Sequence, residues 1–125
     1  MQTENLASGT LDTWTPKEVA AAYEKGEIVL IDVRTPAEYM FEHVDGAMLA
    51  PMSFLKVKNI PGNETRPVVF YCGSGVRSRR IAMMCLEGGF DRIAHMEGGF
   101  GAWKANNLPY VGTNMATGAP ELRQP

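Results

Sequence analysis

The densest chemistry in this 125-residue chain is the run Cys72-Gly73-Ser74-Gly75-Val76-Arg77-Ser78. A cysteine attacks as its thiolate, and the thiolate is stabilised where backbone N–H groups and a helix N-terminus converge on the sulfur. Gly73 and Gly75 allow the backbone to curl so that successive N–H groups point inward, forming a nest for an anion. Cys72 also follows Val68-Val69-Phe70-Tyr71, an apolar run expected to be a buried strand. It therefore falls at the carboxyl end of a strand, where open parallel sheets bind their ligands. The competing reading, Cys72 as a small buried hydrophobe, is the commoner fate of a free cysteine. The two glycines, Arg77 and the strand-to-helix position favour a nucleophile with a lowered pKa. Cys72 is the expected catalytic residue, and Gly73, Ser74, Gly75, Val76, Arg77 and Ser78 are the expected substrate cradle.

Other polar residues carry weaker signals. Arg77 either meets an anionic substrate at the loop mouth or turns to a carboxylate such as Glu38 or Asp32. Arg79 and Arg80 either draw anionic donors toward the site or, the favoured reading, are solvated charge at the start of a helix, and Ser78 either hydrogen-bonds the sulfur or, as favoured, caps that helix. His43 and His95 read as structural hydrogen-bonding groups, because a thiolate already held by a nest needs no general base. Cys85, grouped with Ile81 and Met84 on one helical face, reads as core. Two cysteines thirteen residues apart with scattered histidines fit no zinc spacing, so no metal and no cofactor are expected.

These side chains need a frame. Thr15-Pro16-Lys17-Glu18 joins an N-cap, a proline at the first helical position and a glutamate that reaches back, predicting a helix that stops near Gly26, with Val19 and Tyr23 on its apolar face. Thr35-Pro36-Ala37-Glu38 repeats the signal directly after Ile28-Val29-Leu30-Ile31-Asp32-Val33, a β-branched run expected as a central strand. Further strands are expected at Ala47-Met48-Leu49 and Ile93-Ala94-His95-Met96. A helical turn is expected over Ser53 to Val57, a loop at Pro61-Gly62-Asn63, and helices from Ser78 to Glu87 and from Phe100 to Asn106. Alternating strands and helices on short links predict an α/β fold: one parallel or mostly parallel sheet of about five strands flanked by helices.

The composition suits one domain with a single core, at 45% hydrophobic and 21% charged residues. We expect the domain over residues 13–112, an N-terminal extension over 1–12 and a flexible polar tail over 113–125. A formal net charge of −2 and a pI near 5.7 give no general attraction for nucleic acid or an anionic membrane. Residues 1–12 show neither a basic nor an apolar signal region, and only two cysteines are present, so a cytoplasmic protein without a disulfide framework is expected.

At this point the chain resembles the rhodanese-like domains, single-cysteine sulfurtransferases of α/β fold whose cysteine opens a six-residue loop. The resemblance rests on four motifs in the family's order, from about Thr13 to Gly112. They are Asp32-Val33-Arg34 followed by Glu38-Tyr39, then His43-Val44-Asp45-Gly46-Ala47, then the Cys72 loop, then Glu97-Gly98-Gly99-Phe100-Gly101-Ala102-Trp103. It implies that Cys72 carries a sulfane sulfur as a persulfide between a small donor and a thiophilic acceptor, the acceptor being a small molecule or a protein, in a monomer or weak dimer. It also implies that Asp32 and Arg34 form an architectural ion pair and that the Gly98-Gly99 turn, Phe100 and Trp103 pack beside the loop. Gly73 and Ser74 stand where thiosulfate-specific members carry basic residues, which points away from thiosulfate as the physiological donor. A domain that has lost activity and only binds partners is one alternative, although such domains usually lack the cysteine or an intact loop. Cysteine-dependent phosphatase or arsenate reductase chemistry is another, but phosphatases use Cys-x5-Arg, whereas Arg77 gives Cys-x4-Arg.

Overall fold

Both Thr-Pro-x-Glu signals fold as capping boxes. In a computed structural model of the chain, which describes residues 1–62 and 66–124, the Glu18 N–H donates to Thr15 Oγ1 at 3.2 Å and the Thr15 N–H to Glu18 at 2.9 Å. Thr35 and Glu38 repeat the exchange at 3.1 and 3.2 Å. Each cap satisfies helix-end donors that would otherwise go unpaired, and loss of the threonine oxygen costs about 0.5–2 kcal/mol.

In chain order the elements are β1 (Gln2–Leu6), β2 (Gly9–Trp14), α1 (Pro16–Glu24), β3 (Val29–Asp32), α2 (Pro36–Phe41), β4 (Glu42–His43) and β5 (Met48–Leu49). A short 3-10 turn at Val57–Asn59 leads to β6 (Val68–Tyr71), α3 (Val76–Glu87), β7 (Arg92–Met96), α4 (Gly99–Ala105), β8 (Tyr110–Thr113) and β9 (Pro120–Arg123). The main sheet runs β1-β2-β7-β6-β3-β5, parallel throughout except for the β1–β2 hairpin at its edge. A second, antiparallel sheet joins β4, β8 and β9.

Helices cover both faces of the main sheet, which is why β3 and β6 are apolar without alternation. On one face Leu11, Ile31, Val68, Phe70 and Ile93 pack under Ile81, Ala82, Cys85 and Leu86 of α3. On the other, Leu30, Val69, Tyr71, Ala94 and Met96 pack against Val19 of α1 and Phe100 and Trp103 of α4.

The predicted α/β frame holds, with several corrections. The sheet has six strands among the described residues rather than about five, because the expected N-terminal extension, residues 1–12, forms β1 and much of β2. Residues 113–125, expected as a flexible tail, contribute β9, whose Arg123 reaches the buried Glu42 at 2.8 Å. α3 begins at Val76, two residues before the expected start, and its buried face excludes Met84, which is exposed. The turn expected over Ser53 to Val57 lies instead at Val57–Asn59. Of the expected Pro61-Gly62-Asn63 loop, Asn63 lies outside the described residues, as does Pro125 of the expected tail.

Candidate active site

The sulfur of Cys72 sits one residue beyond the end of β6 and faces the start of α3. Tyr71 is the last residue of β6, and Gly75 caps α3 in the left-handed region at φ +104°. That conformation strains any residue with a Cβ and turns the Gly75 N–H onto Cys72 Sγ at 3.0 Å. Cys72 itself is 0% exposed. Burial pushes the thiol pKa up, but the Ser78 N–H and hydroxyl and the N–H groups of Gly75 and Ser74 outweigh it, leaving the pKa below that of an ordinary thiol. The expected nest is thus formed by backbone groups of the residues named from the sequence.

A second layer fixes the nest. The N–H of Phe100 donates to the Cys72 carbonyl at 2.7 Å, and that of Gly101 to the Gly73 carbonyl at 3.1 Å. A trans peptide points its N–H opposite its carbonyl, so anchoring the Gly73 carbonyl on α4 leaves the Ser74 N–H directed toward the sulfur. Gly99 makes this approach possible: at φ +61°, a Cβ there would lie 2.5 Å from the Cys72 oxygen and from the Gly73 carbonyl carbon. The expected packing of the Gly98-Gly99 turn beside the loop is a direct backbone-to-backbone contact.

Three arginines near the loop, Arg34, Arg77 and Arg79, are engaged by carboxylates. Arg77 grips Glu38 through two hydrogen bonds of 2.8 and 3.0 Å, so of its two expected roles the structure takes the carboxylate. This pairing, first among the causes, holds the Glu38 pKa at about 2. Arg79 makes a similar two-point contact with Glu4 of β1 at 2.8 and 3.0 Å. Asp32 and Arg34 are buried together, the guanidinium bonding both carboxylate oxygens at 2.8–3.1 Å and the Glu42 carbonyl at 2.7 Å. The Arg34 guanidinium also lies 4.6 Å from the Phe100 ring centroid, joining this pair to the helix that anchors the loop. That is the architectural role implied by the resemblance.

His43 stacks on Tyr39 at 3.7 Å and hydrogen-bonds its carbonyl at 2.7 Å, away from the sulfur. Cys85 is core, its pKa pushed up to about 11 by burial. Ser78 takes the less favoured of its two expected roles. Because Gly75 takes the capping position, the Ser78 hydroxyl lies instead inside the site, 3.6 Å from Cys72 Sγ and 3.0 Å from His95 Nδ1. Among the described residues, no group of three or more His, Cys, Asp or Glu is close enough to hold a metal. No helix among them is long and apolar enough to cross a membrane. An open groove of about 530 Å³ along the loop is lined by Ser74, Gly75, Val76, Arg79, Arg80, Met83 and His95.

Sequence reading missed two contributors. One is the pair of α4 N–H groups, whose signal was the double glycine before Phe100. The other is the contact between His95 and Ser78, which depends on strand register and leaves no local pattern.

Comparison with known proteins agrees with this geometry. A family model described as a rhodanese-like domain matches residues 15–106. An uncharacterized protein of Synechocystis is 36% identical over 113 residues, covering 89% of this chain and 63% of that protein. The thiosulfate sulfurtransferase GlpE of Coxiella burnetii is 33% identical over 84 residues, covering 67% of this chain and 78% of its own length. A structure from Rhodopseudomonas palustris, of unknown function and described as a possible tyrosine phosphatase, superposes with a TM-score of 0.69. It is 29% identical, with 79% of this chain and 83% of that one covered.

Proposed function

The chain belongs to the rhodanese-like domain family, and from that premise we propose that it is a sulfurtransferase working through a persulfide on Cys72. The observation that carries the reading is the cradle: a cysteine whose thiol pKa is lowered by N–H groups converging on one sulfur. In the first half-reaction the thiolate attacks the outer sulfur of a donor. A new S–S bond forms on Cys72 as the donor's own sulfur bond breaks, and the bonding pair leaves with the donor remnant, which is sulfite if the donor is thiosulfate. The terminal sulfur carries negative charge and is stabilised by the same N–H groups. In the second half-reaction a thiophilic acceptor attacks that sulfur, and the Cys72 thiolate is regenerated. No external oxidant or reductant is required.

The charge around the loop bears on the donor. Arg77 and Arg79 already face Glu38 and Glu4, so stabilisation of negative sulfur comes from backbone dipoles more than from guanidinium groups. The persulfide group of a low-molecular-weight or protein donor carries one negative charge, and therefore suits the cradle better than the thiosulfate dianion.

Phosphate-monoester hydrolysis is the second reading, raised by the description of the Rhodopseudomonas structure. The Cys-x4-Arg spacing leaves the cradle one residue short of a phosphatase loop, and the arginine that would close on phosphate is held by Glu38. The test is steady-state transfer from thiosulfate and from glutathione persulfide to cyanide. We expect ping-pong kinetics, higher kcat/KM with the persulfide, and loss of transfer in a folded Cys72→Ala protein. Unchanged transfer in Cys72→Ala, or Cys72-dependent hydrolysis of an aryl phosphate exceeding sulfur transfer, would refute the reading.

A further inference from the structure

Beyond the nest, one buried chain of side chains ends on the sulfur. Ser78 is 0% exposed, and once Cys72 is ionised its single hydroxyl proton has three acceptors in reach: Cys72 Sγ at 3.6 Å, which as a thiol donates to Ser78 Oγ instead, His95 Nδ1 at 3.0 Å and the Gly75 carbonyl at 3.2 Å. The Gly75 carbonyl already accepts the Arg79 N–H at 3.1 Å and keeps a lone pair for the Ser78 hydroxyl, but an ionised sulfur is the stronger acceptor of the two. The competition therefore lies between the sulfur and His95, and the tautomer of His95 decides it. If Nδ1 is bare, it takes the Ser78 proton away from the sulfur. If Nδ1 carries the proton, it donates to Ser78 Oγ and leaves the hydroxyl to the ionised sulfur in preference to the Gly75 carbonyl.

The far side of the ring is arranged for the second case. His95 Nε2 lies 3.3 Å from the Thr13 hydroxyl, a group able to donate to a bare nitrogen. This contact follows from the parallel pairing of β2 with β7, which puts Thr13 opposite His95. We propose that His95 is a positioning residue for the nucleophile: as the Nδ1–H tautomer, fed at Nε2 by Thr13, it turns the Ser78 hydroxyl onto the Cys72 thiolate or persulfide. Every donor then points one way, from Thr13 through His95 and Ser78 to the negative sulfur, and each hydrogen bond polarises the next.

The ring is kept neutral for this role. Burial lowers the His95 pKa to about 4, helped by the Arg79 charge and opposed by Glu4. These two facing charges are bonded to each other, and the imidazole is neutral at any pH well above 4.

The inference rests on Cys72 being the nucleophile, but its test reads the thiolate directly and needs no sulfur donor. The Cys72 pKa is taken from the pH dependence of its alkylation by iodoacetamide, followed by mass spectrometry. Ser78→Ala and His95→Phe should each raise that pKa by about one unit, slowing alkylation roughly tenfold at a pH below it. The double variant should be no slower than either single one, because both remove the same hydrogen bond. His95→Asn, which can present an N–H near the Nδ1 position, should restore most of the rate. Nitrogen-15 imidazole shifts of the unaltered protein should report the Nδ1–H tautomer, a readout independent of how the variants fold. An Nε2–H tautomer, full additivity in the double variant, or a Cys72 pKa unmoved by His95→Phe would overturn the proposal.

Discussion

Glu38 occupies two positions at once, as the reaching-back residue of the α2 capping box and as the carboxylate that holds Arg77 beside the loop. Glutamine can keep the first role and lacks the charge for the second. In Glu38→Gln we therefore predict a released Arg77 and a KM for thiosulfate several-fold lower, with alkylation of Cys72 little changed; steady-state kinetics and the alkylation rate check it. The same carboxyl gives a pH signature. Its folded pKa of about 2 lies below the 4.5 of an ordinary glutamate, so the native state binds fewer protons than the unfolded chain. The stability it contributes is complete above pH 4.5 and is lost as pH falls toward 2. Urea midpoints measured across that window should fall less steeply in Glu38→Gln, by a margin kept small because both side chains are more than a third exposed. At this scale the sequence was informative where a residue's role is local. Cys72, its glycines and the capping threonines are legible from neighbours a few positions away, whereas the role of His95 depends on partners 17 and 82 residues distant.

The element that decides the loop's shape is α4, which bonds the loop's carbonyls rather than the Cys72 sulfur. Its first N–H groups hold the Cys72 and Gly73 carbonyls, and Gly99 permits the approach. Gly99→Ala would place a methyl group against backbone atoms at 2.5 Å in a left-handed conformation, the φ strain alone costing about 1–3 kcal/mol. We predict a clear fall in the thermal midpoint and a raised Cys72 pKa, as the loop moves off its anchors. Gly101→Ala is the control: a Cβ there meets the Gly73 oxygen at an ordinary 3.5 Å, and both quantities should stay near those of the parent. Elements were legible where capping chemistry or a continuous apolar run marked them, as for α1, α2, β3 and β6. β1, β4 and β9 escaped because short edge strands keep one side in water and carry polar residues there, so their sequences resemble loops until a partner strand is in place, and β8, which lies between β4 and β9, offers only Tyr110 and Val111 as an apolar run.

The whole molecule is a doubly covered sheet that brings five elements to one sulfur: β6 delivers it, α3 points its N-terminus at it, α4 holds its peptides, and the pairing of β2 with β7 sets the side chains behind it. The motifs' order along the chain disclosed this arrangement, while the contributions of the two termini, β1 in the main sheet and β9 in the small one, depended on pairings between segments that carry no apolar pattern. The central claim is that this convergence makes Cys72 a carrier of one sulfur atom. Intact-protein mass spectrometry after brief exposure to glutathione persulfide or thiosulfate tests it most directly. A gain of about 32 Da localised to Cys72, absent in Cys72→Ala and discharged by cyanide, is the predicted result; an unchanged mass, or sulfur bound equally to Cys85, would contradict it.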